Sequence, residues 1–371
     1  MIIKHLTTMK KTILLMVALI ATTLCANAQG QSATLQQGDN LTAFYGKDAF
    51  VQAYGAAKKG AVITLSAGTF TKVDSIMKEI SIIGNGYKGE KTAFSETSGE
   101  STDSTQIILI GDNITLEGLY LGRVRIRKTN NLKITHCYIK ILWGVTSNSN
   151  YTQFGDIHKN TIVDQCIIGS DVATSGENYC IKNSIINGFN RVNKSATTNT
   201  CIMNCLCFGR LIPNAIFKNC LIGLYKASYT DWGADWSSNQ ECYNNVFFGG
   251  LVWHNVSQTL QDGTQFYNLY QTIDPEMRWV TPEWATEESQ TFKGNTITSY
   301  DAVFGESDNE NPLLAPIITT IKGDDGKVVG PYGGTGFSEN PSIPRIVENN
   351  IDSYTDADGK LNVKVKVEVN N

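Results

Sequence analysis

The chain is 371 residues long, 41% hydrophobic and 18% charged, too apolar for intrinsic disorder and long enough for one large or two ordinary domains. Its 33 glycines against 8 prolines exclude a collagen-like or proline-rich architecture and favour a chain that turns often. With 31 Lys and Arg against 35 Asp and Glu, it lacks the global basic footprint of a nucleic-acid-binding protein.

Lys10 and Lys11 precede the apolar run from Thr12 to Leu24, and Ala26-Asn27-Ala28 follows it: a charged n-region, an h-region and an A-x-A cleavage site. This order predicts an export signal over residues 1–28, a mature chain from Gln29, and a periplasmic, cell-surface or extracellular location. The apolar run is about 13 residues, short of the roughly 20 that span a bilayer. Lipid attachment at Cys25 is the alternative, although Leu24 stands where lipoprotein signals carry a small residue. Removing Lys4, Lys10 and Lys11 from the 31 basic residues leaves 28 against 35, a mature charge of about −7.

From residue 116 one phrase recurs: Leu116-Glu-Gly-Leu-Tyr-Leu, Ile134-Thr-His-Cys-Tyr-Ile, Val163-Asp-Gln-Cys-Ile-Ile and Ile181-Lys-Asn-Ser-Ile-Ile. It continues as Ile202-Met-Asn-Cys-Leu-Cys, Phe217-Lys-Asn-Cys-Leu-Ile and Cys242-Tyr-Asn-Asn-Val-Phe. The starts are separated by 18, 29, 18, 21, 15 and 25 residues, so loops of varying length interrupt a constant stacked unit. The phrases are β-branched and lack the frame of leucine-rich repeats, which predicts an all-β solenoid.

Apolar residues at the first, fourth and sixth positions require each phrase to bend at the third, so that both arms face inward. That corner column reads Gly118, His136, Gln165, Asn183, Asn204, Asn219 and Asn244, and its amides are expected to form a ladder between coils. The fourth column, Cys137, Cys166, Ser184, Cys205 and Cys220, reads as a tight interior stack of free thiols rather than disulfides. Cys180 and Cys201 share a column one residue before the phrase and are the pair expected to join if any disulfide forms. The three cysteines 201, 205 and 207 have no matched second pair or following His, so zinc is disfavoured.

The fifth residues, Tyr120, Tyr138, Ile167, Ile185, Leu206, Leu221 and Val246, should point outward and are all uncharged. A stripe about 29 Å long, at about 4.8 Å per coil, needs covering. The chain after Ser257 is the expected cover, with a homodimer through this face as runner-up. Periodicity fails beyond that point, so residues 257–371 are read as a non-repeating segment without further coils. Thr355-Asp-Ala-Asp-Gly-Lys360 followed by the alternating Leu361–Val369 predicts a terminal hairpin.

On these phrases the chain resembles the right-handed parallel β-helix proteins of the pectate-lyase-like superfamily. Upstream, Ala49–Gly60 is similar to the amphipathic helix that caps their first coil, and Ile63–Phe70 and Ile80–Gly86 to their first strands. Downstream, Asp325-Gly-Lys-Val-Val-Gly-Pro-Tyr-Gly-Gly334 resembles a phrase common after such helices. The resemblance implies an asparagine ladder at one corner and a right-handed β-helix with an N-terminal capping helix. The expected organisation is a signal peptide over 1–28, cap and helix over 29–256, and a covering segment over 257–371 in the same domain.

Carrying the register forward puts Arg123, Arg125 and Arg127 outward on one face, Val124 and Ile126 inward, and Trp143 beside Arg125 one coil later. Later coils bring Arg191, Arg210, Lys226 and Trp253 to the same neighbourhood. Two insertions flank it: Thr146–Lys159, with Tyr151, Phe154, Asp156 and His158, and Tyr225–Ser238, with Asp231, Trp232, Asp235 and Trp236. Arginines pair with uronate carboxylates, and indoles offer a platform for a sugar ring. The expected ligand residues are Arg123, Arg125, Arg127, Trp143, Tyr151, Arg191, Arg210, Trp232 and Trp236, and the ligand an acidic polysaccharide.

The plainer structural reading is a solvated arginine row with loop aromatics packed on the sheet. A surface-interaction module without a glycan is a further possibility. As the enzymatic alternative, a lyase acting by β-elimination would use Arg125 as base, with calcium on Asp156 and Asp171 the only cofactor in view. A polygalacturonase-like hydrolase is disfavoured because its N-T-D, D-D, G-H-G and R-I-K motifs are absent. His136 belongs to the corner column; His254 and His158 form no visible triad.

Overall fold

A computed structural model describes residues 31–94, 106–144, 158–169, 172–173, 176–186, 199–208, 215–223, 241–249, 258–259, 265–266, 292–293, 296–299, 321–323, 325–342, 345–351 and 363–368. Each phrase bends where its apolar spacing demands. The third residues all take left-handed dihedrals, with φ of +64° at Gly118, +50° at His136, +53° at Gln165, +46° at Asn183, +49° at Asn204, +55° at Asn219 and +51° at Asn244. Asn suits this conformation because its short polar side chain tolerates the left-handed region. At Gly118 a side chain is excluded as well, since a Cβ would lie 2.7 Å from the Gly84 carbonyl oxygen.

Strands before the corner stack into one twelve-stranded sheet, and strands after it into a thirteen-stranded sheet, giving a nearly all-β parallel solenoid. Registers match the phrases: Ile134 aligns with Leu116 and Val163, and Tyr138 with Tyr120 and Ile167. First, fourth and sixth residues such as Ile134, Cys137 and Ile139 are wholly buried. The second arm then turns again without breaking. In Tyr120–Ile126 the inward residues are Leu121, Val124 and Ile126, so two successive positions, Gly122 and Arg123, stand between inward neighbours. Tyr138–Trp143 repeats this at Lys140 and Ile141, and the arginines thus occupy a different face from Tyr120 and Tyr138.

The amide ladder is not where the phrase placed it. Asn131, Asn160, Asn178 and Asn199 each donate a side-chain amide to the preceding asparagine's Oδ1 at 2.9–3.2 Å, and Asn113 begins the series by donating to Glu79. All five have positive φ and lie three residues before a phrase. Within the predicted column, Asn244 to Asn219 is an amide-to-amide bond of this kind among the described residues.

At the N-terminal end, β1 (Ser32–Gln37) and β2 (Asn40–Tyr45) form an antiparallel hairpin that pairs with the edge of β3 (Ala61–Leu65). This hairpin was not expected, and it covers an edge that would otherwise present unpaired backbone. Helix α1 is Ala49–Ala56, shorter than the 49–60 expectation, and buries Ala49, Phe50 and Ala53. Its last carbonyls are satisfied by Lys78 Nζ, which donates to Tyr54, Gly55 and Ala57 at 2.5–2.9 Å.

Beyond Ser257 a further coil corrects the expectation of none. Phe292–Lys293 pairs with Cys242–Tyr243, and Thr296–Ser299 with Val246–Gly249. Phe292-Lys-Gly-Asn-Thr-Ile297 is the same phrase, 50 residues after the last, and an insertion of that size hides the period. The terminal hairpin forms as expected, Arg345–Ile351 against Val363–Glu368, with a bulge between Ile346 and Glu348.

The apolar stripe is covered from within. Ile167, Ile185, Leu206, Leu221 and Val246 form a second hydrophobic cluster with Tyr87 and Val329, against which Ile321 and Phe337 pack. The covering strap, residues 325–342, follows the corner column in reverse order. Asn244 Nδ2 donates to Asp325 Oδ1 at 2.8 Å, and the Gly330 amide to the Asn219 carbonyl at 2.8 Å. Asn183 Nδ2 donates to Gly333 O at 2.6 Å and Pro331 O at 3.3 Å, and Thr335 donates to Asn183 Oδ1 at 2.9 Å. The Ser338 amide donates to Gln165 Oε1 at 2.9 Å, and that of Ser342 to Glu117 Oε1 at 2.7 Å. The column's amides therefore bind the strap more than one another. Gly330, at φ +82°, lies so close that a Cβ would meet Leu221 Cδ1 at 2.6 Å.

Candidate functional site

The arginine face is built by the second bend of the coil. Arg123, Arg125 and Arg127 are half-buried, and the wholly inward Val124 and Ile126 alternate with them, as the sequence register required. Arg125 aligns with Trp143 of the next coil and with Ile108 of the previous one; Arg123 aligns with Ile141 and Gln106. The guanidinium of Arg123 lies over the Trp143 ring, 4.5 Å from its centroid, so its planar fork is oriented by the indole. The indole Nε1 is shielded from solvent and has no hydrogen-bond partner among the described residues.

This face therefore offers two strand-anchored cations two residues apart, one of them stacked on an aromatic plate. The arrangement suits planar anions such as carboxylates, which Arg binds in a two-pronged fashion. Among the described residues, the aligned neighbours of these two arginines are Gln106, Ile108, Ile141 and Trp143, with Ala173 beyond Trp143, so no further cation is in register with them.

Tyr151, Arg191, Arg210, Trp232 and Trp236 lie outside the described residues, as do Lys226, Trp253, Phe154, Asp231, Asp235 and His254 and the carboxylates Asp156 and Asp171. Among the described residues, no group of three or more His, Cys, Asp or Glu is placed to hold a metal ion.

His158 is a correction. Read as part of a flanking loop, it instead opens the strand His158–Asp164 and is fully buried. Its Nδ1 is 3.1 Å from Thr161 Oγ1, its ring meets Tyr179 edge-on at 5.4 Å, and burial lowers its pKa to about 4. It packs so closely on Gly176 that a Cβ there would lie 2.4 Å from its Cε1. His136 keeps its corner, with Nε2 3.2 Å from Gln165 Oε1 and Nδ1 3.7 Å from Glu117; burial is the largest influence and lowers its pKa.

Cys137, Cys166, Cys205 and Cys220 form the interior column as free, wholly buried thiols. Each sulfur lies within 3.2–3.3 Å of the carbonyl oxygen two residues back, to which its thiol donates. Burial pushes the thiols of Cys166 and Cys205 up.

No protein-family model matches this chain, and neither a curated protein nor a solved structure shows significant similarity to it.

Proposed function

We propose that the protein is an exported right-handed parallel β-helix of the pectate-lyase-like kind that binds an acidic polysaccharide on the face holding Arg123, Arg125, Arg127 and Trp143. The carrying observation is the Arg123 guanidinium stacked 4.5 Å from Trp143, with Arg125 aligned to the same tryptophan. Stacking fixes the fork's plane in advance, so less rotamer entropy is lost when a uronate carboxylate docks. A sugar ring beside it gains apolar contact with the indole. A cationic spot on a chain with more acidic than basic residues favours local capture of an anion over general adhesion to polyanions. Tyr151, Arg191, Arg210, Trp232 and Trp236 are proposed to extend the groove.

The test is affinity electrophoresis of the full chain through gels containing oligogalacturonate, alginate or neutral dextran, with and without calcium. Retardation by the uronates and not by dextran is expected. Equal retardation by dextran, or none by any acidic polymer, overturns the reading. Ultraviolet absorbance of unsaturated products in parallel reactions would make the protein a lyase, with Arg125 the proton acceptor.

A further inference from the structure

Two thiols are set apart from the interior column. Cys180 and Cys201 are direct partners on adjacent parallel strands, Gly176–Lys182 and Thr200–Met203. Their chain neighbours Tyr179, Ile181, Thr200 and Ile202 point inward and are buried, so the two cysteines lie on the outer face of the sheet, where both are half-buried. They contribute little to the core, and they stand side by side on the same face of the sheet. Aligned residues on neighbouring strands sit about 4.8 Å apart, inside the Cα separation that a disulfide tolerates. On either side the column continues with the exposed Ile162 and the half-buried Ile216.

We infer that Cys180 and Cys201 form an oxidisable dithiol that closes a reversible disulfide across two coils by exchange with an external disulfide. The two thiols are unequal. The neighbouring Cys201 thiol, and after it the charge of Lys182, hold the Cys180 thiol below its ordinary value, whereas Cys201 is pushed up. Cys180 is therefore the attacking sulfur. As thiolate it displaces one thiolate from the donor disulfide and becomes a mixed disulfide. Cys201 then loses its proton, attacks the Cys180 sulfur and expels the second donor thiolate. In sum, one donor disulfide and two protein thiols give one protein disulfide and two donor thiols, with no other oxidant consumed. The interior cysteines take no part, because burial denies the donor access to them.

The experiment treats the folded full chain with oxidised glutathione, alkylates the remaining thiols after denaturation, and maps the non-reduced digest by mass spectrometry. The expected result is one cross-linked peptide pair joining Cys180 to Cys201, reversed by dithiothreitol, with Cys137, Cys166, Cys205 and Cys220 alkylated only after denaturation. Cys201→Ser should stop at a stable glutathione adduct on Cys180, and Cys180→Ser should leave Cys201 mainly unmodified. The inference is overturned if the wild-type protein gives glutathione adducts without the cross-link, a link to a column cysteine, or two unmodified thiols.

Discussion

Asn183 ties the strap to the solenoid, and its removal can be given a magnitude. It is 1% exposed, donates to Gly333 O and Pro331 O, and accepts from Thr335. Three such bonds at about 1 kcal/mol each give about 3 kcal/mol of attachment, and leaving the carbonyls buried adds to the loss. Asn183→Gly isolates this effect because glycine accepts φ +46° without strain. Asn183→Ala should cost about 1–2 kcal/mol more through the left-handed backbone. The control is Asn178→Gly: Asn178 has φ +55° and two ladder amide bonds, but in an exposed setting worth about 1 kcal/mol. Native-state hydrogen exchange reads strap opening directly, and the Gly330 and Ser338 amides, bonded across to the coils, are suitable reporters. Asn183→Gly should accelerate their exchange about a hundredfold and Asn178→Gly less than about tenfold. Equal effects of the two substitutions, or unchanged exchange in Asn183→Gly, would refute the strap's dependence on the corner column.

A chain ending at Thr320 should bind a hydrophobic dye and aggregate, because it bares Ile167, Ile185, Leu206, Leu221 and Val246; a dye-negative soluble monomer would contradict this. His158 titrates near 6.5 unfolded and about 4 folded, so its contribution is complete above pH 6.5 and is lost as pH falls towards 4, about 3 kcal/mol in all. His158→Gln should flatten the stability profile between pH 6.5 and 4, and an unchanged acid slope would show that the imidazole is not held neutral. The column thiols of Cys137, Cys166, Cys205 and Cys220 should resist alkylation until unfolding, and rapid labelling of any of them in folded protein would count against the interior stack.

The corner and the inward columns were legible because steric rules act on each phrase alone: apolar residues at positions one, four and six admit one bend. The need for a cover was legible for the same reason, since seven uncharged outward residues cannot face water. The identity of the cover's contacts was not, because Asn183 is equally able to bond a neighbouring amide or a strap carbonyl, and only the strap's position decides. The observed ladder carries its own signal in the sequence. Asn113, Asn131, Asn160, Asn178, Asn199, Asn214 and Asn239 stand three residues before each of the seven phrases from Leu116 to Cys242, the first five of them forming the described ladder. The final coil was hidden by the long insertion before Phe292, and the β1–β2 hairpin by the lack of a repeating partner. At the site, alternation placed Arg123 and Arg125 outward and the 18-residue period placed Trp143 beside Arg125. The stacking of Arg123 on that indole was not legible, since it depends on side-chain reach across the diagonal.

Calorimetric titration of oligogalacturonate into wild-type protein and the Arg123→Glu/Arg125→Glu variant, each at low and high salt, tests the functional account most directly. Each lost charged hydrogen bond is worth about 1.5–3 kcal/mol, so the variant should bind at least about a hundredfold more weakly while its circular dichroism still shows the folded β-solenoid. Wild-type affinity should fall as salt rises, in proportion to the carboxylates engaged. Undiminished binding by the double variant, or wild-type binding indifferent to salt, would remove the arginine face from the account and leave those arginines as an ordinary solvated row.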